Sequence, residues 1–418
     1  MILTGLILLV LALLGAPLFA IIAASAMVGF YRAEIDLALM GIEIFGLAEM
    51  PILVAIPLFT FSGFLLSESK SPQRLVALSQ ALLGWLPGGL AMVCLATCAL
   101  FTAFTGASGV TIIALGALFY PALSRAGYDD RFSLGLITTS GSLGLLFAPS
   151  LPLILYGVVA GASIDDLFLA GIFPGLLMVL LLCVYSFFIS RSIRTSLVDA
   201  SGKEVLASLR ESAWELPLPI VVLGGIYSGY FAVSEAAAVT ALYVVFVEII
   251  VRREVRWASL PKIMRESMVL VGAIFMILGM SLASTNYMIY AGVPERLFTI
   301  VDTYVAGPGS FLLALIIFLL ILGAILDIFS AIVLVVPLVL PVAIEYGIHP
   351  IHLGIVFLAT MELGYLTPPV GLNLFIASFR FERSIADIYR ATLPFFLVLL
   401  ITVFVIAYWP VLSLVLVE

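Results

Sequence analysis

The chain has 418 residues, of which 64% are apolar types and only 10% are charged, and its mean hydropathy is +1.29. A soluble globular chain is usually about half apolar and roughly a quarter charged, so this composition leaves no polar skin for water and makes lipid the natural solvent. The net charge of −7 comes without a basic stripe, which excludes nucleic acid as a partner, and two histidines, His349 and His352, are too few for a histidine-built metal or catalytic centre.

A bilayer crossing takes about 20 apolar residues at about 1.5 Å rise each. In chain order, full crossings are predicted at 2–30, 50–67, 131–160, 167–190, 215–231, 234–251, 266–289, 351–379 and 393–415. The first run is too long for a cleavable signal peptide and lacks its basic start, so it reads as a span. Two further apolar stretches, 88–124 and 308–345, are long enough for two helices each and are broken near the middle, one at Thr105–Gly109 and one around Asp327. Each is read as a re-entrant hairpin, entering and leaving on one side; two full crossings would thread the chain identically. Residues 72–84 and 256–265 read as surface helices. The polar stretch 191–214, with Asp199, Lys203, Glu204, Arg210 and Glu211, reads as a connector carrying an amphipathic interfacial helix.

With this threading sixteen of the Lys and Arg residues fall on one face, and Arg32 and Arg296 on the other. The positive-inside rule makes the first face cytoplasmic, with the N-terminus inside and the C-terminus outside.

An offset of 220 residues superposes two halves. Gly89 falls on Gly309, Pro121 on Pro341, Gly127 on Gly347, Gly144 on Gly364 and Pro149 on Pro369. The threading makes the copies face opposite ways. The expected fold is therefore an all-α polytopic membrane protein, an inverted repeat with two re-entrant hairpins and broken helices, an arrangement characteristic of secondary transporters. Its parts are first spans and an arm helix (1–87), the first hairpin and broken helix (88–165), further spans with the connector (166–307), the second hairpin and broken helix (308–382) and a last span (383–418). An inverted-repeat channel would need a continuous polar pore, whereas the polar groups here gather at the breaks. An intramembrane enzyme would need a nucleophile–base or paired-acid pattern that Asp327 and Glu362 do not form.

An unpaired backbone group in lipid costs several kcal/mol, so helices break only where they line protein or a cavity. The breaks lie at 106–109, 144–152, 326–330 and 364–371. Carbonyls at helix ends can ligate Na+, and free N–H groups at the following helix starts attract an anion. A first Na+ site is expected from Thr105, Gly106, Ser108, Gly144 and Pro149, and a second from Asp327, Ser330, Thr367 and Pro368. Asp327 is the acid that a mid-bilayer cation would stabilise; the alternative is a hydrogen-bonded structural acid. Glu362 is a second such acid, ligating or supporting its loop. Ser108, Ser150 and Asn373 are candidates for substrate, with helix capping or helix pinning as the alternative. Arg380 reads as a snorkelling anchor rather than a substrate clamp.

At these breaks the chain resembles the large membrane subunit of tripartite ATP-independent periplasmic (TRAP) transporters. The stretch Gly364-Tyr365-Leu366-Thr367-Pro368-Pro369-Val370-Gly371-Leu372-Asn373 is similar to that family's G-x-x-T-P-P-V-G-x-N. Leu326-Asp327 with Val336-Pro337 and Leu340-Pro341 fits its second hairpin. Tyr156-Gly157, Ser163-Ile164, Leu167–Gly171 and Pro174-Gly175 resemble its first-half pattern. Two departures stand in the first half: Ala107 precedes Ser108 where the family often has a second serine, and Ala148-Pro149-Ser150 has one proline where two are usual. The resemblance implies an elevator mechanism driven by a Na+ gradient in a bacterial or archaeal cytoplasmic membrane. It implies a periplasmic binding protein that delivers an organic acid such as a dicarboxylate or sialic acid. It also implies a small four-helix membrane subunit, expected on a separate chain because this one starts at its own first span. A carboxylate transporter coupled to Na+ or H+ and working without a binding protein is the alternative.

Overall fold

The computed structural model describes residues 2–83, 86, 88–190, 202–305 and 307–417. Among them there are helices and no strands. Seven helices are long and apolar enough to cross a bilayer, or nine if each of two bent pairs counts as one span. The connector's first part, 191–201, lies outside the described residues; its second part forms the helix Gly202–Glu211.

The first hairpin is Gly89–Thr105 followed by Ser108–Arg125, and the second is Pro308–Gly323 followed by Ile328–Glu345. Each hairpin is followed by a broken span. One runs Asp130–Ser140, a short turn Leu143–Leu146, then Leu151–Ala160. The other runs Pro350–Gly364, then Leu372–Phe381. The helices Ser108–Arg125 and Ile328–Glu345 coincide at both ends under the 220-residue offset. So do the left-handed glycines Gly127 and Gly347, and the two cis peptide bonds, Ala148-Pro149 and Pro368-Pro369. One residue of slippage later the likeness continues: Ser163 accepts a capping bond from the N–H of Asp166, and Ser384 from that of Asp387.

Side-chain contacts give the relative direction of the copies. Asn373 donates to the Thr138 carbonyl (3.4 Å), and Tyr156 donates to the Pro350 carbonyl (2.7 Å). As the first broken span advances from 138 to 156, its neighbour in the second retreats from 373 to 350. The two spans therefore cross antiparallel, as an inverted repeat requires. Each copy's second hairpin helix packs on the other copy's second half-helix: Ile328–Glu345 on Leu151–Ala160, and Ser108–Arg125 on Leu372–Phe381.

A framework lies beside these elements. Leu18–Arg32, Ala55–Glu68, Val233–Val245 and Leu260–Tyr290 pack on one another. Two expectations are corrected here. The run 2–30 is not one helix: it splits into Ile2–Leu13 and Leu18–Arg32, because Gly15 takes a positive φ of 87° and Pro17 has no N–H to continue the ladder. The surface helix at 256–265 and the span at 266–289 are instead one 31-residue helix, Leu260–Tyr290. Its only proline, Pro261, sits in the first turn, where no intrahelical bond is lost. The surface helix that answers Ser71–Leu83 in the second copy is Val293–Tyr304.

Ser71–Leu83 is tied down by charge. Arg74 is nearly buried and its guanidinium reaches three glutamates: Glu215 through Nε (2.5 Å), Glu254 through Nη1 (2.6 Å) and Glu248 through Nη2 (3.5 Å). Ser71 Oγ donates to Glu248 Oε1 (2.9 Å), and the Lys70 N–H to Glu254 Oε2 (2.8 Å). Glu248 lies in a π-helical turn, Phe246–Val251, that ends the Val233 helix. One short helix is thereby fastened to two separate segments.

Candidate functional site

The first hairpin turns at Gly106. Its φ of +63° lets the N–H close back on the Thr102 carbonyl (2.8 Å), and a Cβ there would stand 2.6 Å from the Leu151 side chain. Only glycine meets both demands. Ala107 is extended and Ser108 starts the next helix. The loop of the first broken span presses on this hairpin: a Cβ on Gly144 would lie 2.2 Å from the Ala99 carbonyl oxygen and 2.5 Å from the Ala103 nitrogen. The second copy repeats the approach, with Gly364 against the backbone of Gly323.

Around the first tip the Thr111 hydroxyl donates to Thr102 Oγ1 (2.6 Å), which donates to the Gly141 carbonyl (2.8 Å). Three buried hydroxyls, those of Thr105, Thr139 and Ser150, have no hydrogen-bond partner. Buried polar atoms without a partner cost free energy, so this is a place where a ligand's lone pairs or charge would be stabilising. Ser150 precedes Leu151–Ala160, but its side chain makes no capping bond.

The second tip is more tightly built. Ala324 carbonyl accepts from Val370 N (3.2 Å) and Gly371 N (3.1 Å), joining the loop to the hairpin. Asp327 caps the helix Ile328–Glu345. Its Oδ1 accepts from Ser330 N (2.9 Å) and its Oδ2 from Ser330 Oγ (2.5 Å). Thr367 is half-buried and donates to the Leu363 carbonyl (3.3 Å); Pro368 is exposed. Glu362 is fully buried in Pro350–Gly364 with neither carboxylate oxygen partnered. Asn373 is buried; its Nδ2 donates to the Thr138 carbonyl of the first broken span, and its Oδ1 has no partner. Arg380 is exposed, its Nε donating to the Ile113 carbonyl (3.4 Å).

Tyr365 is a residue that the sequence reading passed over. It is buried, and its hydroxyl accepts the Ile328 N–H at 2.6 Å, satisfying a free donor at the helix start beside Asp327. The signal was available, because Tyr365 stands inside the Gly364–Asn373 stretch. Tyr365→Phe is expected to strand that buried N–H and to cost about 1–3 kcal/mol. Earlier melting of the purified protein in detergent checks it; unchanged melting would show that the N–H has another partner.

The two tips meet. A cavity of about 450 Å³ is lined by Gly106, Ala107 and Ser108 of the first tip and by Asp327 and Ile328 of the second, with Tyr365 between. Hairpins from oppositely directed copies whose tips share one cavity must each turn back inside the molecule. The framework closes the other wall with Phe64, Leu270, Ile274 and Ile277. The cavity thus lies at the seam between framework and hairpins. Of the expected residues, it gathers Gly106, Ser108 and Asp327. Ser330 reaches it through Asp327. Thr105, Gly144, Pro149 and Ser150 lie in the tip and loop of the first copy.

Residues 5–412 match the family described as tripartite ATP-independent periplasmic transporter, DctM component. The chain is 36% identical over 376 residues to a C4-dicarboxylate TRAP transporter large permease protein of Pseudomonas aeruginosa, covering 90% of this chain and 88% of that one. It is 32% identical to a sialic acid TRAP large permease of Vibrio cholerae (88% and 86% covered) and 30% identical to an ectoine TRAP large permease of Halomonas elongata (97% and 96% covered). Among solved structures, the YdaH transporter of Alcanivorax borkumensis shares the fold, with a TM-score of 0.58 at 14% identity over 89% of this chain and 87% of that one. The inverted repeat, the paired hairpins and this near end-to-end match agree: the chain belongs to the DctM family, the large membrane permease of TRAP transporters.

Proposed function

We propose that this chain is the large membrane subunit of a Na+-coupled, binding-protein-dependent secondary transporter that imports an organic acid across the cytoplasmic membrane. The observation that carries the reading is the cavity shared by two inverted hairpin tips at the seam with the framework. A ligand held there moves from one side to the other if the hairpins and broken spans slide as a body against the framework, which is an elevator.

In this reading Asp327 and Ser330, with carbonyls near Thr367 and Pro368, hold one Na+. The orphaned Thr105 hydroxyl, with Ser108 and carbonyls of Gly106, Gly144 and Pro149, holds another. Ser108 and the helix starts beside it receive the substrate's carboxylate. Ser150 and the Asn373 Oδ1, both buried and unpartnered, are further candidates for the substrate. A small membrane subunit and a periplasmic binding protein complete the machine. The charge bias favours an N-terminus in the cytoplasm and a C-terminus outside. A second reading, H+ coupling, is favoured by Glu362, a buried carboxyl with no partner.

Proteoliposomes carrying the assembled complex test this. Uptake is expected only with the binding protein and an inward Na+ gradient. Uptake driven equally by a pH gradient in K+ buffer would replace Na+ coupling with the second reading, and uptake without any binding protein would remove that partner.

A further inference from the structure

The corner where the framework passes from its Val233 helix to Leu260–Tyr290 sorts its charges. The π-helical turn ends at Val251, and the chain reverses through 252–256. The N–H groups of Glu254 and Val255 both bond the Glu248 carbonyl (2.9 and 3.3 Å), and Arg252 donates through Nη2 to the Glu211 carbonyl. The reversal turns the acid inward: Glu254 accepts from Arg74 and from the Lys70 N–H, and Val255 beside it is buried. It turns the cations outward. Arg253, Arg256, Lys262 and Arg265 are exposed. Among the described residues no carboxylate stands within 4.0 Å of Arg253, Arg256 or Arg265, and Lys262 has Glu266 at 3.8 Å. Arg253 takes a φ of +55°, a left-handed conformation that favours glycine. A long charged side chain kept where glycine would be at ease is one with a use. Trp257, 63% exposed, opens the short turn Trp257–Ser259 between Arg256 and Lys262.

The helix that follows fixes the depth of this patch. Lys262, Arg265, Val269, Gly272 and Met276 recur at steps of three and four and are all exposed, so they form one stripe on Leu260–Tyr290. The stripe is basic for its first turn and uncharged beyond it. That change marks the boundary between headgroups and hydrocarbon, the level at which tryptophan also gathers. On the adjoining stripe, Leu270, Ile274 and Ile277 form the framework wall of the shared cavity.

We propose that this corner is a binding site for an anionic phospholipid. Arg253, Arg256 and Arg265 receive the headgroup phosphate, Trp257 lies at the headgroup level, and an acyl chain runs along Val269 and Met276. Charge selects the headgroup. A zwitterionic lipid brings the same phosphate and chains but adds a cation of its own to a patch that already holds four. The bound lipid grips, from its bilayer side, the helix that forms the stationary wall of the cavity. The proposal needs only a bilayer-spanning chain, so it stands or falls apart from the coupling ion and the solute.

The test titrates the purified full chain in detergent with phosphatidylglycerol and, separately, with phosphatidylcholine of the same acyl chains. It reads the melting temperature, which a ligand that binds only the folded state raises. Phosphatidylglycerol is expected to stabilise, and phosphatidylcholine to do so far less. Each basic residue near a charged surface strengthens binding about fivefold, so Arg253→Gly combined with Arg256→Gln should raise the phosphatidylglycerol midpoint at least about tenfold. Arg253→Gly alone separates binding from folding. Without lipid it relieves the left-handed strain and melts no earlier than the wild type, while its response to phosphatidylglycerol weakens. Arg253→Lys and Arg256→Lys keep the response. A double variant with the wild-type phosphatidylglycerol curve would overturn the proposal. So would equal stabilisation of the wild type by phosphatidylcholine, or by soluble glycerol phosphate at the same concentration.

Discussion

Asp327→Asn is expected to weaken apparent Na+ affinity while leaving the helix it starts intact. Asparagine is as good an N-cap as aspartate: its amide oxygen still accepts from Ser330 N, and its NH2, in the place of the second carboxylate oxygen, can donate to Ser330 Oγ. What the substitution deletes is the charge. If Asp327 serves only as a cap, as the competing reading has it, the variant behaves like the wild type. If it holds a cation, the loss of a charge-assisted contact costs about 1.5–3 kcal/mol, and apparent Na+ affinity falls roughly 10- to 100-fold. Asp327→Ala is a poorer probe, because it also removes a cap that is typically worth about 1 kcal/mol. The measurement is initial uptake against external Na+ concentration for the two proteins at equal surface density. An unchanged Na+ curve for Asp327→Asn would return the residue to a purely structural role.

Arg74→Leu is expected to be the most destabilising single change outside the cavity. It leaves Glu215, Glu248 and Glu254 facing one another without their cation. Breaking a buried pair by removing one partner costs about 3–5 kcal/mol, far more than deleting an exposed pair such as Lys262–Glu266. Melting of the purified protein should fall, and proteolysis should reach the Ser71–Leu83 helix first. Changing Glu215 and Glu254 to Gln in the same background should recover part of the loss; an Arg74→Leu protein as stable as the wild type would deny the cluster any structural role. The cluster also sets a pH dependence. Burial pushes the Glu254 carboxyl up, but hydrogen bonds from Arg74 and the Lys70 N–H outweigh it and hold the group below its ordinary value of 4.5. A depressed carboxyl adds stability that is fully present above its unfolded value and is lost as pH falls through the folded one. Acidification below about pH 4.5 should therefore loosen the helix, and Glu254→Gln should flatten that part of the stability curve.

What could be read from the chain was what interrupts an apolar run. Glycines, prolines and acids such as Asp327 and Glu362 stand out in apolar sequence, so both hairpins and their 220-residue register are legible in the sequence. Contacts between distant segments were not. Arg74 and its three glutamates are separated by 141 to 180 residues, and no sequence pattern brings them together. Tyr365 looked like one more aromatic in an apolar stretch, because its role exists only once the Ile328 N–H is brought to it. The helix Val293–Tyr304 was passed over because Glu295, Arg296, Asp302 and their neighbours make it too polar for a span. The repeat itself pointed there, since shifting Ser71–Leu83 by 220 residues lands on 291–303. The join of 256–265 to 266–289 was missed for the opposite reason: a change of composition from charged to apolar does not end a helix that no proline or capping residue interrupts.

The central claim is that Na+ crosses with the substrate through the seam where the two tips meet. Radioactive sodium supplied outside proteoliposomes of the assembled complex measures this directly. The account predicts that adding substrate with its binding protein starts sodium entry in step with substrate entry, and that Asp327→Asn at the same Na+ concentration weakens both together. Substrate accumulation with no accompanying sodium flux would contradict it.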